Sequence, residues 1–187
     1  QLLQVFSAAG FRTLLYPNAR AMKWSKMLTN LLANASAAIC DISPGTVFAH
    51  DRLFHLEITA LRETLSVMQG LRLPVVQLPG TPSQWLGFAL RRLPPWSYRG
   101  LLAGKVARGR GDKPPSLHMD LAAQRGCSEV EFLNGAVVRH AKALGLATPV
   151  NAGLTQLLGQ IVSNETPWER YRANPDGLAD RLLSGDF

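Results

Sequence analysis

The feature that most constrains this chain is the spacing of Phe54, Ile58, Leu61, Leu65 and Met68, which fall at i, i+4, i+7, i+11 and i+14. At about 100° per residue these side chains stack into one apolar stripe along a helix, a pattern that strand alternation does not produce. Gly70 follows as a helix stop. So regular a stripe must be buried against other elements, so this is expected to be a core helix, with His50, His55, Glu57 and Glu63 on its outer surface. His50 and His55 are five residues apart, about 140° around the helix, so they do not chelate one metal ion from one face.

The rest of the chain also reads as helix. Residues 1–9 are helix-like up to Gly10, Phe11 to Tyr16 is extended, and Pro17-Asn18 turns the chain. One long helix is expected from Ala19 to Cys40, broken by Ser43-Pro44-Gly45. Between Leu71 and Lys113 the prolines Pro74, Pro79, Pro82 and Pro94-Pro95 leave room for helical pieces at 83–92 and 97–107. Ser116 opens a short helix to about Arg125, stopped by Gly126, and Ser128-x-x-Glu131 has capping-box spacing for a helix to Leu144 and Gly145. Thr148-Pro149, as cap and first position, starts a helix to about Val162, and Leu178, Leu182 and Leu183 permit a last short one. The expected fold class is all-α.

Composition narrows the function classes. The chain has 187 residues, 47% of them hydrophobic, enough for one buried core. Its net charge of +7 is concentrated between Arg91 and Lys113, which carries +6, so it marks a local basic surface and not a nucleic-acid-binding face. No apolar run reaches the ~18 residues of a membrane span. Cys40 and Cys127 lack metal-ligand or disulfide spacing and read as free thiols in a reducing, cytoplasmic setting. Gly109-Arg110-Gly111 lacks a third glycine and precedes Pro114-Pro115, so it does not cradle a dinucleotide phosphate.

Two groups of residues stand apart from the core pattern. Lys26, Asn30 and Asn34 recur every four residues, which on one helix makes a polar stripe about 12 Å long. Ala33 and Ala37 lie beside it as small neighbours that leave room for a ligand, while Leu28, Leu32, Ala35 and Ile39 face the other way. A cation and two amides in single file suit a small polar anion. The second group is Lys113-Pro-Pro-Ser116-Leu-His-Met-Asp120, then Ser128-Glu129-Val-Glu131-Phe-Leu-Asn134-Gly135, then Gly145-Leu-Ala-Thr-Pro149-Val-Asn151. Read locally, Ser116 is a helix cap or a cap that also binds ligand, Glu131 closes the capping box, and Asn134-Gly135 is a close-packing point.

In this order, Trp-x-Lys with two asparagines, Pro-Ser with Asp four on, Glu-x-Glu-x-x-Asn-Gly and Thr-Pro-x-Asn, the chain resembles the C-terminal domain of the ketopantoate reductases (2-dehydropantoate 2-reductases) over roughly residues 1–162. The resemblance implies a helical domain of the 6-phosphogluconate dehydrogenase C-terminal type. It implies that residues 1–20 end an upstream NADP-binding Rossmann domain and that 21–162 form the substrate-binding, catalytic domain. Residues 71–113 would be a basic Pro-rich insertion and 163–187 a C-terminal tail. It further implies reduction of a small 2-oxo acid, ketopantoate, by NADPH, with Lys26 as general acid, Glu129 as partner to the substrate hydroxyl and lysine, and Asn30, Asn34 and Ser116 as substrate binders. No cofactor-binding or metal-binding residue is expected in this chain, and a homodimer is. The alternatives are a reductase of a different 2-oxo acid and a helical dimerisation or interaction module without chemistry. For lack of a phosphate loop, residues 1–187 alone are expected to turn over no substrate and to bind NADPH weakly. Isothermal titration showing micromolar NADPH affinity would overturn that expectation.

Overall fold

A computed structural model describes residues 1–110, 116–122 and 128–183, with the side chains of 107–110, 120 and 122 outside that description. Eleven α-helices account for most of these residues: α1 (Leu2–Ala8), α2 (Ala19–Leu31), α3 (Asn34–Cys40), α4 (Pro44–Ala49), α5 (Asp51–Gly70), α6 (Ser83–Arg92), α7 (Pro95–Arg110), α8 (Ser116–Ala122), α9 (Asn134–Leu144), α10 (Pro149–Val162) and α11 (Pro175–Leu183). Among the described residues the only β pairing is an isolated bridge between Leu78 and Thr81. The fold is all-α, as the periodicity implies.

Helix α5 is the spine. Its 20 residues span about 30 Å, and α2, α4, α6, α9, α10 and α11 all pack on it. Phe54, Ile58, Leu61, Leu65 and Met68 are buried as expected, and Leu53, Leu56 and Val67 on other faces are buried too. Glu57 and Glu63 depart from the expected outer surface. Glu57 is 2% exposed, and Glu63 is half-buried. His55 is exposed, while His50 caps the helix by accepting the Leu53 N–H at Nδ1.

Besides the His50 cap of α5, the starts of α2 and α4 follow ordinary capping chemistry, and those of α9 and α10 depart from it. Asn18 Oδ1 accepts the Ala21 N–H at 3.0 Å, and Ser43 Oγ accepts that of Thr46 at 3.1 Å with Pro44 at the first position. The capping box does not form. Ser128 Oγ takes the Val130 N–H at 3.2 Å, residues Glu129–Phe132 make a 3-10 turn, and α9 begins only after Leu133. Glu131 turns instead to Arg139 of α9, eight residues on. Thr148 makes no side-chain cap for α10. Glu63 of α5 does that work, its two oxygens accepting the Val150 and Asn151 N–H groups at 3.0 Å each. A carboxylate at a helix N-terminus meets both unpaired donors and the positive end of the dipole. Burial raises the Glu63 pKa and the α10 donors pull it back.

Residues 71–82 and α6–α7 fold onto this frame. Ser25 Oγ of α2 accepts the Val76 N–H at 2.9 Å, and Arg62 of α5 donates to the Leu90 carbonyl at the same distance. Arg99 of α7 donates to the Phe48 carbonyl at 2.9 Å and pairs with Asp51. Arg91, Arg92 and Lys105 remain exposed, so the basic segment is partly clamp and partly solvated surface. Gly109 to Lys113, Cys127 and the expected stop at Gly126 fall wholly or by their side chains outside the described residues.

Residues 163–183 pack back across α3 and α5. Trp168 donates its indole N–H to the Ile39 carbonyl at 2.8 Å, and Leu178, Ala179 and Leu182 are buried. Asp41, in the left-handed region at φ 53°, anchors the crossing: it receives His118 Nε2 of α8 at 2.6 Å and Arg172 Nη2 at 2.7 Å. The His118 hydrogen bond, then that of Arg172, holds the Asp41 carboxyl below the ordinary carboxylate range. A depressed folded-state pKa stabilises the fold above the unfolded value and loses that contribution as pH falls through the folded one. Asp41→Asn should therefore lower Tm at pH 7 by about 2–4 °C, since the pair is partly solvent-screened. The gap from the parent protein should close as pH falls through the depressed Asp41 pKa, below the ordinary carboxylate range. A gap constant from pH 7 to pH 2 in thermal melts would remove the ion pair from the account.

Candidate functional site

The polar stripe does not run along one straight helix. Residues 19–40 are two helices, α2 and α3, with Leu32 and Ala33 between them and Ala33 in the left-handed region at φ 48°. An alanine there costs on the order of 1 kcal/mol, because its Cβ crowds the following carbonyl. The compensation is Glu57. Its Oε2 accepts the Ala33 N–H at 2.8 Å, and its Oε1 accepts the Ser36 hydroxyl. Taking a carboxylate out of water costs several kcal/mol, more than burying any one leucine returns. The pairing is tolerable because it satisfies donors that the helix break would leave orphaned.

The break sorts the stripe. Lys26 and Asn30 are exposed on α2, whereas Asn34, the first residue of α3, is 3% exposed. Ala33 and Ala37 are fully buried and belong to the core, so they do not form an open floor beside the stripe. Asn34 Nδ2 donates to Ser116 Oγ at 3.3 Å, joining two of the expected substrate binders across 82 residues of sequence. Among the described residues its buried Oδ1 has no hydrogen-bond partner. Ser116 is the exposed first residue of α8, and α8 packs on α3. Glu129 is exposed at the head of the 3-10 turn, which packs against α8, α9 and α10. Trp24, two residues before Lys26, meets the His140 ring of α9 edge-on at 5.2 Å, tying the start of α2 to the late helices.

Asn134 and Asn151, the amides of the two later motifs, are interior. Asn151 is fully buried, donating to Glu63 at 2.6 Å and to the Ala60 carbonyl at 2.9 Å, and accepting from Asn134 Nδ2 at 3.0 Å. A Cβ on Gly135 would stand 2.8 Å from Glu131 Oε2 and 3.4 Å from Thr155 Cγ2, so Gly135 marks a close approach of α9 to its neighbours. Sequence reasoning missed Glu57, Glu63 and the Asp41–His118–Arg172 junction. For Glu57 a signal existed: it stands at i+3 from Phe54 and i−4 from Leu61, inside the apolar stripe.

This is an all-helical domain in which the first residues of α3 and α8, Asn34 and Ser116, meet. Residues 18–162 match the family described as the ketopantoate reductase PanE/ApbA C terminal. Similar proteins include a 2-dehydropantoate 2-reductase of Pyrobaculum aerophilum, 28% identical over 84% of this chain and 49% of its own length, and one of Pyrococcus horikoshii, 22% identical over 81% and 43%. The chain thus spans about half the length of these curated relatives. Among solved structures, a PanE/ApbA family ketopantoate reductase from Ralstonia eutropha superposes with a TM-score of 0.66 at 25% identity, covering 88% of this chain and 48% of that one. A D-mandelate dehydrogenase solved with NADH and anilino(oxo)acetate shares the fold at a TM-score of 0.63 and 19% identity, covering 87% and 79%. The chain belongs to the ketopantoate reductase C-terminal family.

Replacing Glu57 with alanine orphans the Ala33 N–H and the Ser36 hydroxyl together and should destabilise the fold by about 3 kcal/mol. Glu57→Gln, which keeps acceptor capacity, should lose less. Equal denaturation midpoints for Glu57→Ala and the parent protein would show that the break holds without the carboxylate.

Proposed function

We propose that this chain is the substrate-holding, catalytic-lysine domain of a nicotinamide-dependent 2-oxo acid reductase. Its substrate is 2-dehydropantoate (ketopantoate), reduced to pantoate on the route to pantothenate and coenzyme A. NADPH is the hydride donor, and an N-terminal nucleotide-binding domain holds it, because the sequence carries no glycine-rich phosphate loop. The observation that carries this reading is the end of the polar stripe. There, among the described residues, Asn34 keeps a buried carbonyl oxygen with no hydrogen-bond partner beside the exposed Ser116 hydroxyl. A buried acceptor without a donor costs roughly 1–3 kcal/mol, which a substrate hydroxyl would return on binding.

When bound, the reduced nicotinamide supplies a hydride to the C2 carbonyl carbon. The residues of this chain manage charge and position. Negative charge grows on the carbonyl oxygen, where the Lys26 ammonium stabilises it and then donates its proton. Asn30, Asn34 and Ser116 hold the substrate carboxylate and hydroxyl with neutral groups that leave the lysine's charge undisturbed. Glu129 accepts from the substrate hydroxyl and steers Lys26. Family membership supports these roles, and the Asn34–Ser116 hydrogen bond supports the pairing of those two binders.

The interaction-module reading draws on one observation: Leu2, Val5, Phe6, Phe11, Leu14 and Leu15 are exposed apolar side chains along the N-terminal arm. The lysine decides between the two. In the full-length enzyme, Lys26→Ala should lower kcat for 2-dehydropantoate by about 100-fold to 10,000-fold, the usual worth of a general acid. The variant's melting temperature should stay near that of the parent, since Lys26 is exposed. Unchanged turnover would leave the scaffold without its chemistry.

A further inference from the structure

The hydroxyl of Ser116 is only as well placed as the helix that carries it. Helix α8 has seven residues, too few to hold a helix or a position without tertiary contacts. Its apolar anchors, Leu117 and Leu121, are both buried and lie four residues apart, so they form one line of contact that fixes the depth of α8 and not its roll. Ser116 and His118 stand about 100° to either side of that line. A hydrogen bond on each side sets the roll.

The two bonds are unequal. On one side Asn34 Nδ2, at the head of α3, reaches Ser116 Oγ at 3.3 Å, long for a bond of this kind. On the other, His118 Nε2 donates to Oδ1 of Asp41, the residue that follows the end of α3, at 2.6 Å. The firm tether is therefore the one away from the proposed site. It is reinforced by residues beyond the family match at 18–162. Arg172 donates from Nε and Nη2 to Asp41 Oδ2 at 3.0 and 2.7 Å, which leaves Oδ1 to His118. The Arg172 guanidinium lies over the Trp168 ring at 4.9 Å, and Trp168 meets the His118 ring edge-on at 5.8 Å. Asp41, His118, Trp168 and Arg172 so close a ring that joins α3, α8 and the C-terminal segment.

We infer that His118 and Asp41 are positioning residues for the substrate. They touch none of it. Through the roll of α8 they hold the Ser116 hydroxyl beside Asn34, and Trp168 and Arg172 complete the clamp. This rests on the reductase reading and carries its site into a segment that the family match does not cover. Ser116 grips a part of the acid that does not react, so its misplacement weakens ground state and transition state alike and shows in KM.

The test is steady-state kinetics of the full-length enzyme with 2-dehydropantoate. His118→Ala should raise KM about tenfold and leave kcat within about twofold. A merely structural loss would remove active molecules instead, lowering kcat at constant KM. His118→Gln, which keeps an N–H for Asp41, should recover most of the KM. In a Ser116→Ala background, His118→Ala should add less than about twofold to KM, because its effect travels through that hydroxyl. Should His118→Ala fail to fold, Arg172→Leu, at an exposed side chain, should raise KM about threefold. An unchanged KM in every variant that folds, or a rise of full size in the Ser116→Ala background, would overturn the clamp while leaving the reductase intact. No turnover of the acid by the parent enzyme would overturn both.

Discussion

A single buried carboxylate governs how this domain presents its chemistry. Glu57 reaches from the spine helix to the junction of α2 and α3 and satisfies Ala33 and Ser36 there. Without it the left-handed alanine would be a cost with no return, and a continuous helix would carry Asn34 around on the same face as Lys26. With it, the chain after Leu31 starts a new helix whose first side chain meets Ser116 of α8. The candidate site is thus composed of two helix starts and the exposed face of a third, held at fixed angles by an interaction with no ligand contact of its own.

The division between legible and illegible features follows from range. Local physics was readable: the α5 stripe, the stops at Gly70 and Gly145, the proline-led start of α10 and the helices flanking Pro94-Pro95 depend on neighbours within a few residues. The break at Ala33 was not, because it exists only by virtue of a partner 24 residues away. Nothing in Leu-Leu-Ala-Asn forbids a straight helix. Thr148 likewise looked like a cap by residue type, but Glu63, 87 residues distant, occupies the donors first. Both errors have one origin, the treatment of Glu57 and Glu63 as solvent-facing on charge alone.

The motifs that carry the family resemblance separate physically into two kinds. Lys26, Asn30, Ser116 and Glu129 end at the surface, where chemistry can use them. Asn134, Gly135 and Asn151 end in the interior, where they join α5, α9 and α10 through a chain of amide and carboxylate contacts. A shared signature therefore records a way of assembling the bundle as much as a way of binding substrate. Asn134-Gly135 has the local look of a packing point, and inside the bundle the Nδ2 of Asn134 donates to Asn151, whose own amide donates to Ala60 and Glu63.

The two acidic side chains of α5 also settle a matter that its leucines leave open. A helix gripped only by aliphatic contacts can slide or roll by a step with modest loss, since one branched side chain substitutes for another. Glu57 and Glu63 lie about 9 Å apart along the axis and about 240° apart around it. One seats in the α2–α3 junction and the other on the head of α10. Two keys cut at different depths and angles admit a single setting of the shaft, so the spine has one register against both halves of the bundle.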